Sequence, residues 1–349
     1  MTEKKSLSLG KKRAIVLSTL SGLVLLVFLI SLFVGSSHMS IKEGILGLFG
    51  QGETANIIIM QNIRLPRVIA AILAGTALAL SGTIMQTISN NVMASPTTLG
   101  VSNAAVLGAN IAIIILGGGV ISSSGGHPII SNPYFVSGFA FIVALGGTLL
   151  VLGLSRIKKF NNAVTVLIGV TFGTFCTGVT SLIQYFATDT SLSTAVYWSF
   201  GDLGRASYTD DLIMLVVVVV SLLFFLIFSY RYNAMLLGED TASTLGINLN
   251  VFRFISLLLA SLLTATVVAT LGIIGFIGLI VPQVMRKLVG NDHKFLLVGS
   301  ALFGSVVLLI SDIISRILLN GLSFPVGAVT AIIGAPVFIV LLLLRRKKV

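Results

Sequence analysis

The sequence predicts an all-α polytopic membrane protein with about ten transmembrane helices and both termini cytoplasmic, and three observations carry that expectation. The first is composition: 56% of the 349 residues are hydrophobic and 9% are charged, against about 25% charged in a soluble domain. The second is the length of the apolar runs. Ala14–Val34 and Leu212–Phe228 can each cross roughly 30 Å of hydrocarbon as a helix. The third is where the basic residues sit. Twenty-two Lys and Arg against 11 Asp and Glu give a net charge of +11. They fall in short clusters between apolar runs (Lys11-Lys12-Arg13, Arg156/Lys158/Lys159, Arg286-Lys287, Arg345 to Lys348) without interleaved aromatics. That pattern reports membrane orientation, with lipid as the surroundings, and argues against a nucleic-acid partner.

Spans are expected at 14–34, 65–86, 98–117, 134–154, 163–186, 211–230, 252–271, 273–285, 295–317 and 326–344. The first is 21 residues of apolar sequence behind a basic start. That is longer than a signal-peptide core, and no small-x-small cleavage pattern follows, so it reads as a spanning helix. The second carries Gly75, Ala79 and Gly82, a spacing that lets helix backbones approach closely, although ordinary bundle packing accounts for most such glycines. The third and fifth are polar enough to need neighbours, and the fifth adds Gly169, Gly173 and Gly178. The eighth is too short to span alone and lies among Gly272, Gly275 and Gly278. The ninth holds Asp312, the single acidic candidate within the spans, at i,i+4 pairing distance from Arg316. The tenth ends at the basic tail.

With the N-terminus cytoplasmic, 17 basic residues lie inside and only Lys42, Arg64, Arg67, Arg205 and Arg316 outside, which supports an even number of crossings. No polar linker divides the chain, so residues 1–349 read as one transmembrane domain, with a cytoplasmic N-terminus at 1–13, a cytoplasmic loop at 231–250 and a cytoplasmic tail at 345–349. Localisation in the cell membrane follows.

Several chemistries find no residues. The lone Cys176 allows neither a disulfide framework nor a cysteine metal site, and His38, His127 and His293 lack ligand spacing and read as polar loop residues. No metal or cofactor is expected. Gly10-Lys11 lacks the rest of a phosphate-binding loop, no nucleophile sits beside a base, and the spans hold no evident proton or sodium relay. The chain is therefore not expected to be an enzyme, and energy for uphill movement must enter from another polypeptide. The alternative class is an ion-coupled transporter acting alone, which would need intramembrane charges. A place where an external motor could attach is the 231–250 loop, the longest cytoplasmic connection. There Ala234–Leu245 reads as a short helix bearing Glu239 and Asp240, with Gly246 as its C-terminal stop. Such a helix suits either a membrane-surface position or a partner's socket.

The motifs of the chain resemble those of one family. They are Arg64-Leu65-Pro66-Arg67 with Ala74 to Gly82, then Pro96 to Ala109, and Tyr197-Trp198 with Gly201. Leu237-Gly238-Glu239-Asp240 through Leu245-Gly246, Gly275 to Pro282, Asp292-His293, Asp312 with Arg316, and Pro325 to Pro336 complete the set. In order and spacing these are similar to the permease subunits of ATP-binding-cassette importers for iron–siderophore complexes, haem and cobalamin. The resemblance implies a cobalamin-permease-like bundle of ten helices, two permease subunits per transporter (a homodimer or a heterodimer), two cytoplasmic ATP-binding subunits and an extracytoplasmic substrate-binding protein. Iron–siderophore cargo is favoured, with haem or cobalamin as alternatives. The resemblance also implies binding-protein docking at Arg64, Arg67 and Arg316, where snorkelling to lipid headgroups is the competing role. It implies ATPase coupling through Leu237, Gly238, Glu239, Asp240, Ser243, Leu245 and Gly246. It further implies a cytoplasmic gate at Asn91, Met93, Asn162 and Ala163, where Asn162 could instead cap the fifth helix. The chain differs from the usual family pattern at Gln283, where a histidine is common, and at Asn91-Val92, where Asn-Pro is common.

Overall fold

Helix is dictated wherever a backbone must cross hydrocarbon, because its N–H and C=O groups find partners only within the segment. The computed structural model describes residues 2–35, 39–118, 132–157, 162–318 and 324–343. The basic tail Arg345 to Lys348, Lys158, Lys159, His38 and His127 lie outside the described residues. In chain order the helices are α1 (Thr2–Phe33), α2 (Ile41–Leu48), α3 (Thr54–Ile58), α4 (Leu65–Ile88), α5 (Val101–Asn110), α6 (Pro133–Ile157), α7 (Asn162–Tyr185) and α8 (Asp189–Ser199). Then come α9 (Tyr208–Ile227), α10 (Ser229–Met235), α11 (Glu239–Thr244), α12 (Leu249–Leu271), α13 (Ile277–Val289), α14 (His293–Ile317) and α15 (Val326–Leu343). The one β feature among the described residues is an isolated parallel bridge, Phe200 to Ile273.

Each of the ten expected spans meets a helix. Among the described residues, seven helices are long and apolar enough to cross a membrane, and the apolar helices Val101–Ile115 and Val326–Leu341 are shorter. The 13-residue α13 is shorter than a span, as expected for the eighth candidate. It begins at Ile277 rather than 273, because the chain first turns through left-handed conformations at Gly272 and Phe276. Short helices α2 and α8 occupy segments expected as loops. Their starts are capped by the Ser40 and Thr188 hydroxyls, which accept from the backbone N–H groups of Glu43 and Ser191. The Ser40 bonds also hold the Glu43 carboxyl below its ordinary range.

The chain divides into two compact units, each discontinuous in sequence. One comprises Met1–Thr83, Asp202–Asn233 and Gly275–Val349, and the other Ile84–Gly201 and Ala234–Ile274. In the first, α14 packs against α1, α9, α13 and α15, and α4 approaches it through glycine. A Cβ on Gly75 would run into the Gly304 backbone, and one on Gly82 into the Gly278 backbone. Beside the first crossing the Thr76 and Ser305 hydroxyls lie 2.9 Å apart. Small residues and short hydroxyl contacts are how helices associate where lipid is as apolar as leucine. In the second unit α5 packs against α6, α7 and α12. Asn103 there donates to the Gly173 carbonyl at 3.1 Å, and Gln184 to Asn110 at 3.0 Å.

The buried residues of α9 (Asp211, Met214, Val218, Ser221, Phe225) form one helical stripe. Leu212, Val216, Val220 and Leu223 are exposed, a continuous apolar surface suited to hydrocarbon.

His293 departs from the reading as a polar loop residue. It opens α14 and is fully buried, because Asn233 supplies an acceptor both to its backbone N–H (2.9 Å) and to its ring Nδ1 (2.8 Å).

Candidate functional site

Arg64 and Arg67 are placed by a defect in helix geometry. Pro66 has no N–H, so the regular bond to the carbonyl four residues earlier is absent, and residues Ile59–Arg64 widen into a π-helical turn where α3 meets α4. Leu65 N–H there donates to the Met60 carbonyl, five residues back. The turn brings both Arg64 and Arg67 inward, with relative exposures of 5% and 8%, and Arg316 on α14 is likewise 8% exposed. Asp312, fully buried, accepts from Arg67 Nε at 2.7 Å through one oxygen and lies 2.7 Å from Arg316 Nη2 through the other. Arg67 Nη2 also donates to the Ser315 hydroxyl at 3.4 Å, while other donors of Arg64 and Arg316 reach the C-terminal end of α1. Arg64 Nη1 donates to the Leu32 and Phe33 carbonyls at 2.9 and 3.0 Å. Arg316 Nη1 donates to the Ser31 and Val34 carbonyls at 3.0 and 2.7 Å. Helix C-termini leave carbonyls without intrahelical donors and favour cations nearby. The last turn of α1 has no basic residue of its own, so α4 and α14 supply them. The expected Asp312–Arg316 pair is present, but the guanidinium groups brace three helices and do not snorkel.

In the 231–250 loop, the expected helix over Ala234–Leu245 is interrupted. Helix α10 ends at Met235, Gly238 takes φ +119°, and α11 restarts at Glu239. The physical reason is Gly238, whose φ no L-residue adopts comfortably. Gly246 ends α11 as expected, at φ +76°. Its N–H donates to the Ser243 carbonyl (3.0 Å) and that of Ile247 to the Ala242 carbonyl (3.3 Å). This paired closure comes with burial of Ala242 and Ile247. Around that anchor Leu237 is 73% and Leu245 65% exposed, and Gly238, Asp240, Ser243 and Gly246 are exposed as well. Glu239 is the exception in function: its carboxylate accepts from the buried Arg253 of α12 at 2.5 Å, fixing α11 to α12.

Two of the expected gate residues line one cavity. Asn91, on the turn after α4, and Ala163, on the first turn of α7, share an opening of about 470 Å³ with Ser89, Val166, Leu167 and Val170. Asn90 makes the turn at φ +44°. Met93 follows it and is exposed, its N–H held by Asn91 Oδ1 at 2.9 Å. Asn162 is the first residue of α7, and its side chain lies outside the described residues.

Comparison with known proteins places the chain in one family. The FecCD transport family matches residues 23–344. The chain belongs to the FecCD transport family. A Methanocaldococcus jannaschii protein described as an ABC transporter permease is 44% identical over 94% of this chain and 95% of its own length. The vitamin B12 import system permease BtuC of Citrobacter koseri is 36% identical, over 95% and 94% of the two chains. That of Vibrio vulnificus is 34% identical, over 91% and 93%. Among solved structures, an inward-facing metal-chelate type ABC transporter superposes with TM-score 0.80 at 29% identity, covering 94% of this chain and 98% of that one. The FecCD chain is thus a multi-pass membrane permease of the ABC importer type, a transport protein and not an enzyme.

Sequence reasoning missed two residues in this FecCD permease. Asp211 is buried on α9 with neither carboxylate oxygen hydrogen-bonded, so Asp312 is not the single acid within the spans. The signal was available: the neighbouring Asp210 closes a capping box with Ser207 and faces the helix end, which turns Asp211 to the buried stripe. It stands alone, and among the described residues no group of three or more His, Cys, Asp or Glu is gathered for a metal ion. The other is Arg253, whose burial could be anticipated only by knowing that Glu239 meets it.

This last contact sets a test. Glu239→Arg would put a second cation against buried Arg253 and detach α11 from α12 while leaving every span unchanged. Membrane insertion should be normal, and co-purification of the ATP-binding subunits and transport should both fall several-fold. Equal recovery of those subunits with Glu239→Arg and with the unmodified chain would show that α11 is not their contact.

Proposed function

We propose that this FecCD permease is the membrane subunit of an ATP-driven importer that moves an iron(III)–siderophore complex into the cytoplasm. In this reading residues 1–349 act as one permease domain paired with a second permease subunit. Two cytoplasmic ATP-binding subunits drive it, and an extracytoplasmic binding protein delivers the cargo. The observation that carries the motor assignment is the exposed segment from Leu237 to Gly246, closed by a glycine cap and pinned by Glu239 to Arg253. Apolar Leu237 and Leu245 displayed beside acidic Glu239 and Asp240 suit a partner's socket better than bulk water. The cavity lined by Asn91 and Ala163 supports a gate near that face. Binding-protein docking is assigned to Arg64, Arg67 and Arg316, three cations gathered around the one carboxylate of Asp312 on an outer side that otherwise carries more acidic than basic residues.

For the cargo, a bulky metal chelate is the class supported by the metal-chelate type transporter at 29% identity, and iron(III)–siderophore is our first reading within it. Cobalamin is the second, favoured by the BtuC relatives at 34% and 36% identity. Proteoliposomes containing the permease, its ATP-binding subunits and its binding protein decide between them, with radioiron-loaded siderophore and labelled cobalamin offered in turn. ATP-dependent uptake of the first and not the second is the expected result. The permease purified alone should neither bind nor hydrolyse ATP, because it has no phosphate-binding loop. Uptake by the lone chain on an ion gradient would overturn the motor assignment.

A further inference from the structure

Just upstream of the coupling segment, four helices of the first unit meet at a polar knot that none of the roles above uses. Its centre is the side chain of Asn233, near the end of α10. Asn233 Oδ1 accepts from the backbone N–H of His293 (2.9 Å) and faces its ring Nδ1 at 2.8 Å, while Nδ2 donates to Asp292 Oδ1 at 3.0 Å. One amide therefore grips the first two residues of the α14 end, Asp292 being the N-cap. The other oxygen of Asp292 pairs with Arg13 of α1 at 3.4 Å. Arg13 Nε donates to the Val289 carbonyl at the end of α13 (2.9 Å), and its guanidinium stacks over Phe295 of α14, 4.7 Å from the ring centre. Buried rings complete the packing: Tyr232 and His293 are both fully buried, with ring centres 5.5 Å apart.

Capping alone does not require this arrangement. Asp292 already serves the first turn of α14 from within, accepting from Lys294 N–H at 3.2 Å. The Asn233 contacts are long-range additions that tie the root of the coupling segment to the end of a 25-residue helix. That helix is about 37 Å long at 1.5 Å per residue. It carries Asp312 and Arg316 at its far end and crosses α4 at Gly304. A rigid element gripped at one end passes a displacement of that end along its length.

We propose that Asn233 is a positioning residue for transport: its amide locks the coupling segment to the start of α14, so that movement imposed on the segment is passed to the spans. The inference rests on the motor reading of α11 given above. Asn233 acts through Asp292 and His293, the residues its amide holds.

The test uses the reconstituted complex and reads retained ATP-binding subunits, melting temperature, ATP hydrolysis and cargo moved per ATP hydrolysed. Asn233→Asp keeps the acceptor for His293 but removes the donor and sets a carboxylate against Asp292. Asn233→Asp combined with Asp292→Asn restores a donor–acceptor pair in the reverse sense, with the same net charge. The single variant is expected to retain its ATP-binding subunits and to hydrolyse ATP, while cargo per ATP falls by about tenfold, the scale of one lost buried polar contact. The double variant should regain most of that ratio. Should Asn233→Asp fail to fold, Asn233→Gln, which keeps both groups but misplaces them by one methylene, takes its place with the same expectation. An unchanged ratio in a folded Asn233 variant overturns the inference, as does a fall that tracks melting temperature or subunit loss, or a double variant no better than the single. Absence of ATP-binding subunits on the unmodified chain would instead overturn the motor reading, and the inference with it.

Discussion

Gly82→Val should leave almost no folded permease in the membrane. At this position α4 lies directly against α13, and a Cβ on Gly82 would overlap the carbonyl group of Gly278. Overpacking a core usually costs about 1–3 kcal/mol, because side chains rotate and the backbone shifts slightly. Neither relief exists here: the obstacle is main chain, and Gly278 itself would meet the Leu78 carbonyl if it were substituted. The same geometry recurs one helical repeat earlier, where Gly75 and Gly304 each face the other's carbonyl. So α4 cannot retreat from α13 without also separating from α14. A loss above about 4 kcal/mol is expected, in the range reserved for structural failure. Gly146→Ala on α6 is the matching control, since nothing lies within 4 Å of its Cβ position. There the substitution should be neutral or stabilise by about 0.5–1 kcal/mol, from the lower chain entropy of alanine. Melting curves in detergent for the two variants measure the contrast. If Gly82→Val melts within a few degrees of Gly146→Ala, the close crossing of α4 and α13 is wrong.

The glycines also mark what could be read from the sequence and what could not. Small-residue spacing announced close helix approach on α4, but it did not distinguish Gly169, which abuts Thr98 and Leu99, from Gly178, which meets nothing. The spans were legible because every backbone polar group in hydrocarbon must be bonded within its own helix, leaving long apolar runs as a direct trace. Helices α2 and α8 were not, since at 8 and 11 residues they leave no such run, although Ser40 and Thr188 offered capping signals. The short helix of the 231–250 loop was legible in its Gly246 stop. The break at Gly238 was less visible, because one glycine inside a short polar stretch is compatible with helix. Burial of charge was the least legible. In a soluble protein a buried face separates from a polar one by periodicity, but here both faces are apolar. Asp312 was legible as a partner of Arg316, but the α1 carbonyls that Arg64 and Arg316 reach, and the Asn233 that holds His293, lie on helices remote in sequence, and only the folded chain brings them together.

Asp312→Asn should destabilise the permease by about 3–5 kcal/mol, the cost of breaking a buried ion pair by removing one partner. The side chain keeps its shape, so packing is unaltered, and the loss isolates charge. Asp312 is the carboxylate that Arg67 and Arg316 share, each at 2.7 Å, and Arg64 adds a third buried guanidinium beside the α1 end. Without the carboxylate those cations would face one another across carbonyl oxygens that carry only partial charge. Arg67→Glu should fail for the converse reason, since it sets two carboxylates together with little water to screen them. Reduced binding-protein association in that variant would therefore report lost structure, and docking has to be measured per folded chain. A partial rescue separates charge from shape. Asp312→Asn combined with Arg316→Met removes a charge of each sign, and apolar replacement of a buried pair is often close to neutral. The double variant should melt above Asp312→Asn alone, although the Ser31 and Val34 carbonyls lose their donor. Thermal unfolding in detergent and binding-protein association at low salt, read on the same preparations, decide between brace and dock. If Asp312→Asn melts within about 1 kcal/mol of the unmodified chain while association strengthens, the arginines are held only loosely. They would then be available to acidic groups on the partner, and the brace assigned to them here would be wrong.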